Sequence, residues 1–270
     1  MKQIIRSIVL VVAMFATFEG FAQHTVGISM GASQGSFRPY PSQETKSVSG
    51  LLVGGVSWRY YSSQKYVGAV GVDIEYMERG YSYAPNASVA EDKNALDYYT
   101  RYFNSIMIPI VWQPHIYAIH NKVRIFMDAA ATFSYNMSST YVNDYARAQG
   151  ATDWEGVYEY KTARDNRIGY GLMGGFGVNY IFGRFELMAR ARYYYGYADI
   201  VKNRNKYYTN NNDGSENPFS TTPTRSPVDN ISVAFGLNYR LGRADGFESW
   251  GVKRLGKANI GTTFNYEGKR

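Results

Sequence analysis

The chain predicts an all-β fold, an eight-stranded antiparallel up-and-down transmembrane barrel with long extracellular loops. Three observations carry this expectation. Eight segments alternate with period two, and every charged residue inside them falls on the register opposite to that segment's apolar and aromatic residues. One face can therefore meet lipid while the other lines a lumen. The connections between these segments alternate long and short without exception, as outer loops and periplasmic turns do. Finally, aromatic residues make up 16% of the chain, with 26 tyrosines, and 27 glycines stand against 8 prolines. That balance suits a glycine- and aromatic-rich barrel better than a soluble α/β enzyme.

Residues 1–22 read as a secretory signal peptide. Lys2 and Arg6 begin it, an apolar run covers 8–18, and Glu19 to Ala22 form a short polar exit with Gly20 and Ala22 at the cleavage positions. The apolar run is well short of the ~20 residues that a membrane helix needs. Cleavage after Ala22 is expected, leaving a barrel over 23–242 and a glycine- and charge-rich periplasmic tail over 243–270. The chain has no cysteine, which excludes a lipid-modified cysteine, disulfides and thiolate sites. Removing Lys2, Arg6 and Glu19 takes the net charge from +7 to +6. This charge is too modest and dispersed for a nucleic-acid partner. Beyond residue 22 no apolar stretch is long enough for a membrane helix, so spanning segments must be strands that close on one another.

Each strand can be justified in turn. Strand one, 25–33, turns Val26, Ile28, Met30 and Ala32 outward. Strand two, 51–61, turns Leu52, Val56, Trp58 and Tyr60 outward and Arg59 inward. In strand three, 67–77, Val70, Val72, Ile74 and Tyr76 oppose inward Asp73 and Glu75, carboxylates that would be costly in hydrocarbon. Strand four, 98–113, exposes Ile106, Ile108, Ile110 and Trp112 over Arg101 and Met107, and Pro109 marks a bulge or an edge-like break. Strand five, 123–136, exposes Ile125, Met127, Phe133 and Tyr135 over Arg124 and Asp128. Strand six, 168–182, sets Tyr170, Leu172, Phe176, Val178 and Tyr180 against a glycine row suited to a crowded, curved wall. Strand seven, 185–195, separates Phe185, Leu187, Ala189, Ala191, Tyr193 and Tyr195 from Glu186, Arg190 and Arg192. Strand eight, 231–241, separates Ile231, Val233, Phe235, Leu237 and Tyr239 from Arg240.

The long connections are 34–50, 78–97, 137–167 and 196–230, and the short ones are 62–66, 114–122 and 183–184, which puts both termini in the periplasm. Outward aromatics band both ends. Trp58, Tyr60, Trp112, Tyr180 and Tyr239 form the periplasmic girdle, and Tyr76, Tyr135 and Tyr193 the outer one. A soluble β-sandwich would also alternate, but it has no need of aromatics at both ends. Inward Arg59, Arg101, Arg124, Arg190, Arg192 and Arg240 face inward Asp73, Glu75, Asp128 and Glu186. Buried charges must be paired, so a network is expected: Asp73 or Glu75 with Arg101, Asp128 near Arg101, and Arg190 or Arg192 with Glu186 or across the lumen. Such a lumen is either a satisfied polar core or a gated ion path.

The segments GVDIEYMERG (71–80), SIMIPIVW (105–112), GYGLMGGFGVNYIFGRFELMARARYYYGY (169–197) and NISVAFGLNYRL (230–241) resemble the PorT-like outer-membrane β-barrel family of Gram-negative bacteria. The resemblance covers most of the chain after residue 22 and implies an eight-stranded barrel. Here Met107 stands where that family tends to have an inward glutamate, and Glu78, Arg79 and Gly80 replace its simpler turn. One member serves a protein-secretion apparatus, but these motifs report strand geometry and do not transfer that role.

Catalysis is not expected. Enzymes on small outer-membrane barrels generally use a histidine base near the outer rim, whereas His24, His115 and His120 all fall at the periplasmic end. Residues 171–177 lack the Lys-Ser/Thr pair of a phosphate loop. Charged loop residues such as Glu155, Glu159, Asp165 and Asp213 read as solvated, and His115 with His120 lacks further metal ligands. No cofactor or metal is therefore expected. The expected partners are outer-membrane lipid and lipopolysaccharide, with a protein at the extracellular loops or the tail. Tyr141, Tyr145, Trp154, Tyr158, Tyr160, Tyr207 and Tyr208 stand among polar loop residues, as aromatic anchors do in binding surfaces, although tall barrel walls would place them equally well. A structural or interaction component is the leading expectation. A narrow channel for small solutes comes next, and a lipid-modifying enzyme last.

Overall fold

The computed structural model describes residues 24–40, 44–61, 68–84, 98–119, 122–162, 165–202 and 225–241. The expected signal peptide, the tail, His120, Tyr207, Tyr208 and Asp213 lie outside them. In chain order the elements are β1 (His24–Phe37), β2 (Thr45–Lys46), β3 (Val48–Tyr61), β4 (Ala69–Tyr83), β5 (Tyr99–Gln113), β6 (His115–Ala118) and β7 (Val123–Asn143). They continue with α1 (Asp144–Ala148), β8 (Glu155–Val157), β9 (Ile168–Phe182), β10 (Phe185–Gly196) and β11 (Val228–Arg240).

The long strands form a closed eight-stranded antiparallel barrel. Each pairs with the long strand before and after it in the chain, and β1 meets β11 along thirteen partners from Thr25↔Arg240 to Phe37↔Val228. Residue parity decides burial. The apolar set of β10 and β11, including Leu187, Phe235 and Ile231, is exposed, while Glu186, Arg190, Arg192 and Arg240 are buried. All ten inward charges predicted from alternation are buried, and the eight girdle aromatics lie on the outward register. The outer surface is accordingly an apolar band of the kind a bilayer covers.

Several strands run further than alternation predicts. β1 continues to Phe37, β4 to Tyr83 and β7 to Asn143, so Glu78, Arg79 and Gly80 lie within β4 and form no turn. The residues from Arg79 to Tyr83 are buried on both faces. A segment covered on both sides loses the apolar-out, polar-in signature on which the sequence reading depends. Residues 155–157 form β8, whose Gly156 pairs with Tyr141 and so extends the wall beside the outer end of β7.

Pro109 breaks hydrogen bonding without a bulge. The β4–β5 ladder passes from Val72↔Ile110 to Glu75↔Met107 in unchanged register, because proline has no N–H to donate. The bulge lies higher, where Asn104 and Ser105 oppose Ser138 and Asn136 and leave Met137 as the extra residue. In β9, a Cβ on Gly175 would stand 2.3 Å from the Ala191 carbonyl oxygen, so only glycine allows that approach.

Candidate functional site

Three groups of side chains fill the lumen from the periplasmic end outward. In the lowest, Glu186 is fully buried and accepts from three other strands: from Arg124 on β7, from Arg240 Nε on β11 at 2.7 Å, and from Asn179 Nδ2 on β9 at 2.7 Å. The Arg124 guanidinium also lies 4.3 Å from the centre of the Tyr61 ring. Tyr61, with His115 edge-on to it at 5.4 Å, floors the barrel.

The central group couples opposite walls. Asp73 on β4 accepts both guanidinium nitrogens of Arg59 on β3 and takes Arg192 Nη1 from β10 at 2.8 Å and Arg190 Nη1 at 3.2 Å. Glu75 accepts from the same two β10 arginines. Asp128 on β7 takes Arg192 Nε at 2.6 Å and Gln113 Nε2 at 2.8 Å. Three cations, Arg59, Arg190 and Arg192, thus face three carboxylates. Every member is hydrogen-bonded, as removal of such charges from water requires.

The third group departs from expectation. Arg101 does not meet Asp73, Glu75 or Asp128. On the β4–β5 ladder it stands opposite Tyr81, eight residues along β4 from Asp73, or about 26 Å. Its Nε donates to Ser139 Oγ at 2.8 Å, and its Nη1 lies 3.7 Å from Asp165. Nor do Arg190 and Arg192 pair with Glu186; they take the alternative route across the lumen. Asp165, expected to be solvated, is buried. Its Oδ1 accepts from the Tyr158 hydroxyl and its Oδ2 from the Lys161 backbone N–H, both at 2.9 Å. Arg79 is a buried lumen cation that alternation missed, donating to Asn230 Oδ1 and the Val228 carbonyl. Above it, Phe37, Tyr81, Tyr83, Tyr99 and Phe103 pack with Ile200, Val201 and Val228 into an aromatic plug.

Two of the loop aromatics, Tyr141 and Tyr158, are drawn into this upper structure. Tyr141 stacks on Tyr99 with ring centres 5.9 Å apart, and Tyr158 is buried beneath the Arg101 guanidinium, 3.4 Å from its ring centre. Trp154 lies under Arg147 at 4.8 Å. Tyr145 belongs to α1. Tyr158 is therefore buried and does not serve as an exposed anchor. Tyr160 is half-buried between Arg101 and Arg167, and burial raises its phenol above the usual tyrosine value against the opposing pull of Arg101. On the opposite side of the rim, Arg38 donates to both oxygens of Asp229 and to the Gly196 carbonyl, with Tyr195 beneath its guanidinium at 4.0 Å. Burial matters less there than the paired carboxylate, which raises the Arg38 pKa.

Among solved structures the chain is similar to Neisserial surface protein A at 11% identity, covering 81% of this chain and 97% of that one with a TM-score of 0.37. It is also similar to OprG from Pseudomonas aeruginosa at 10% identity, covering 81% and 95% with a TM-score of 0.37. The E. coli outer membrane protein W matches at 12% identity, 83% and 100% coverage and a TM-score of 0.35. Likenesses this remote say nothing of activity. No curated protein matches the chain. The family model described as "Outer membrane protein beta-barrel domain" matches residues 21–202, more than half of the chain. The closed barrel, its apolar exterior and that match lead to one conclusion: the chain belongs to the outer membrane protein beta-barrel domain family, whose members reside in the bacterial outer membrane.

Proposed function

We propose that this barrel is a non-enzymatic structural or interaction component of the outer membrane, with a packed lumen and a working surface on its extracellular rim. The supporting observation is the filling of the lumen. Arg192 spans the bore to Asp73 and Asp128, Glu186 ties four strands below it, and the aromatic plug sits above. An eight-stranded wall leaves little space beyond its own side chains, and three tiers of paired residues use it. The rim supplies Arg147 with Trp154, Tyr141 and the exposed Val157 as contact groups for a partner. Within the family, the segments quoted above ally the chain with PorT-like barrels, and that finer kinship forms part of this reading.

Crosslinking in intact membranes followed by co-purification tests the interaction role directly. Recovery of a defined protein through crosslinks at Trp154 or Val157 is the expected result, and recovery of none from either position would remove it. The rival channel reading rests on the polar lining of the bore. Planar-bilayer recordings showing stepwise openings that vanish on changing Arg190 and Glu186 would favour that channel and overturn the packed lumen.

A further inference from the structure

On one side of the rim a cleft of about 280 Å³ opens between the β7–β9 connection and the start of the β10–β11 connection. Its lining joins two chemistries. Tyr135 and Ile168 belong to the outward registers of β7 and β9 and are 44% and 72% exposed, so they meet the outer edge of the hydrocarbon band. Arg167, Lys161 and Lys202 line the same cleft and supply cations, Arg167 immediately preceding Ile168 in the chain. Arg167 is held over the Tyr160 ring at 4.4 Å and donates to the Tyr135 hydroxyl at 3.3 Å, and Lys202 donates to the Thr162 carbonyl. Asp165, the carboxylate in the lining, does not cancel this charge at the surface. It is 4% exposed, and its oxygens are engaged by Tyr158, the Lys161 backbone and, at longer range, Arg101.

We propose that this cleft binds the phosphate-bearing headgroup of an outer-leaflet lipid. A planar guanidinium fixed by an aromatic ring is suited to forked donation to phosphate oxygens, and a lysine adds a point charge. The apolar floor at Ile168 and Tyr135 receives the first acyl carbons below the headgroup. A soluble anion would use the cations alone, whereas this lining places them at the depth of the lipid interface. The site stands whether or not a protein docks on the loops.

Native mass spectrometry of the detergent-solubilised barrel tests the site, using lipopolysaccharide lipid with its phosphates, the same lipid dephosphorylated, and inorganic phosphate. The phosphorylated lipid is expected to be retained. Its retention should fall about tenfold or more in the Arg167→Gln/Lys202→Gln double variant and to a similar extent on dephosphorylation. Arg167→Lys, which keeps charge but loses the planar fork, should fall between wild type and the double variant. Arg184→Gln, on the opposite end of the barrel, should match wild type, and heat-dependent gel mobility verifies that each variant is folded. Equal retention by the folded double variant, or equal retention of the dephosphorylated lipid, would overturn the site. Binding of inorganic phosphate as tightly as the lipid would overturn the lipid as its ligand.

Discussion

Arg192 and Asp73 meet across the lumen with Nη1 2.8 Å from Oδ2, although 119 residues separate them in sequence. The same guanidinium satisfies Asp128 through Nε. Arg192→Ala takes from the buried Asp128 its ion-pair partner and removes one of the cations that serve Asp73 and Glu75. It is therefore expected to cost about 3–5 kcal/mol, the usual consequence of breaking a buried pair on one side. Denaturant unfolding of the refolded barrel, followed by tryptophan fluorescence, measures the loss. Lys46→Ala, at an exposed position on β2, should stay within about 0.5 kcal/mol of wild type, and a similar result for Arg192→Ala would contradict the network.

The lipid face gives a second prediction. Phe235 is 65% exposed and stands between Met30 and Ala189 in the middle of the apolar band. Phe235→Arg should destabilise the barrel in liposomes by about 2–4 kcal/mol. An unchanged unfolding midpoint would mean that this face does not contact acyl chains.

Adjacent glycines on β9 should respond in opposite ways. A methyl group on Gly175 would meet the Ala191 carbonyl oxygen at 2.3 Å, whereas one on Gly174 would find its nearest neighbour, the Asp128 carbonyl oxygen, at 3.8 Å. Gly175→Ala is expected to lower stability by about 1–3 kcal/mol, and Gly174→Ala to leave it nearly unchanged. Parallel unfolding curves of the two variants decide the point, and equal losses would place the close approach elsewhere.

Tyr160 supplies a pH test outside the membrane. Burial raises its phenol above the ordinary value of 10.0, so the unfolded chain releases this proton first as pH rises. The stabilisation from the neutral phenol is therefore complete below pH 10 and is lost progressively above it. The difference in phenolate absorbance between wild type and Tyr160→Phe should place the Tyr160 transition above pH 10. A transition at or below that value would contradict the dominance of burial over the neighbouring arginines.

The spanning part of this fold was legible because hydrocarbon imposes a single strict rule on every strand. Leu187 and Arg190 could be assigned to opposite faces from parity alone, and both stand where parity puts them. Above the membrane the rule weakens. Tyr81 and Tyr83 point inward like Asp73, but with both faces of β4 covered there, the strand no longer advertised its orientation. The partners of Arg101 were missed for a different reason. Parity tells which way a side chain points but not the height at which it arrives, and height depends on where each hairpin turns. Asp165 shows the same limit, since a carboxylate in a long connection looks solvated until that connection folds back over Arg101.

Glu186 draws its donors from β7, β9 and β11, and Arg192 finds its acceptors on β4 and β7. The β3–β4 hairpin pairs Arg59 with Asp73 internally, but Glu75, Arg190 and Arg192 find their ionic partners only across the bore, and a slip of one residue in any strand would turn these ions into the acyl chains. Assembly is thereby pushed towards an all-together closure, in which early intermediates keep their inner face wet until the final seam of β1 with β11 seals. The loss or duplication of one hairpin, a cheap genetic event for a meander, would leave an orphaned ion at the centre. The number of staves in this lineage is consequently guarded by its charges as well as by its backbone.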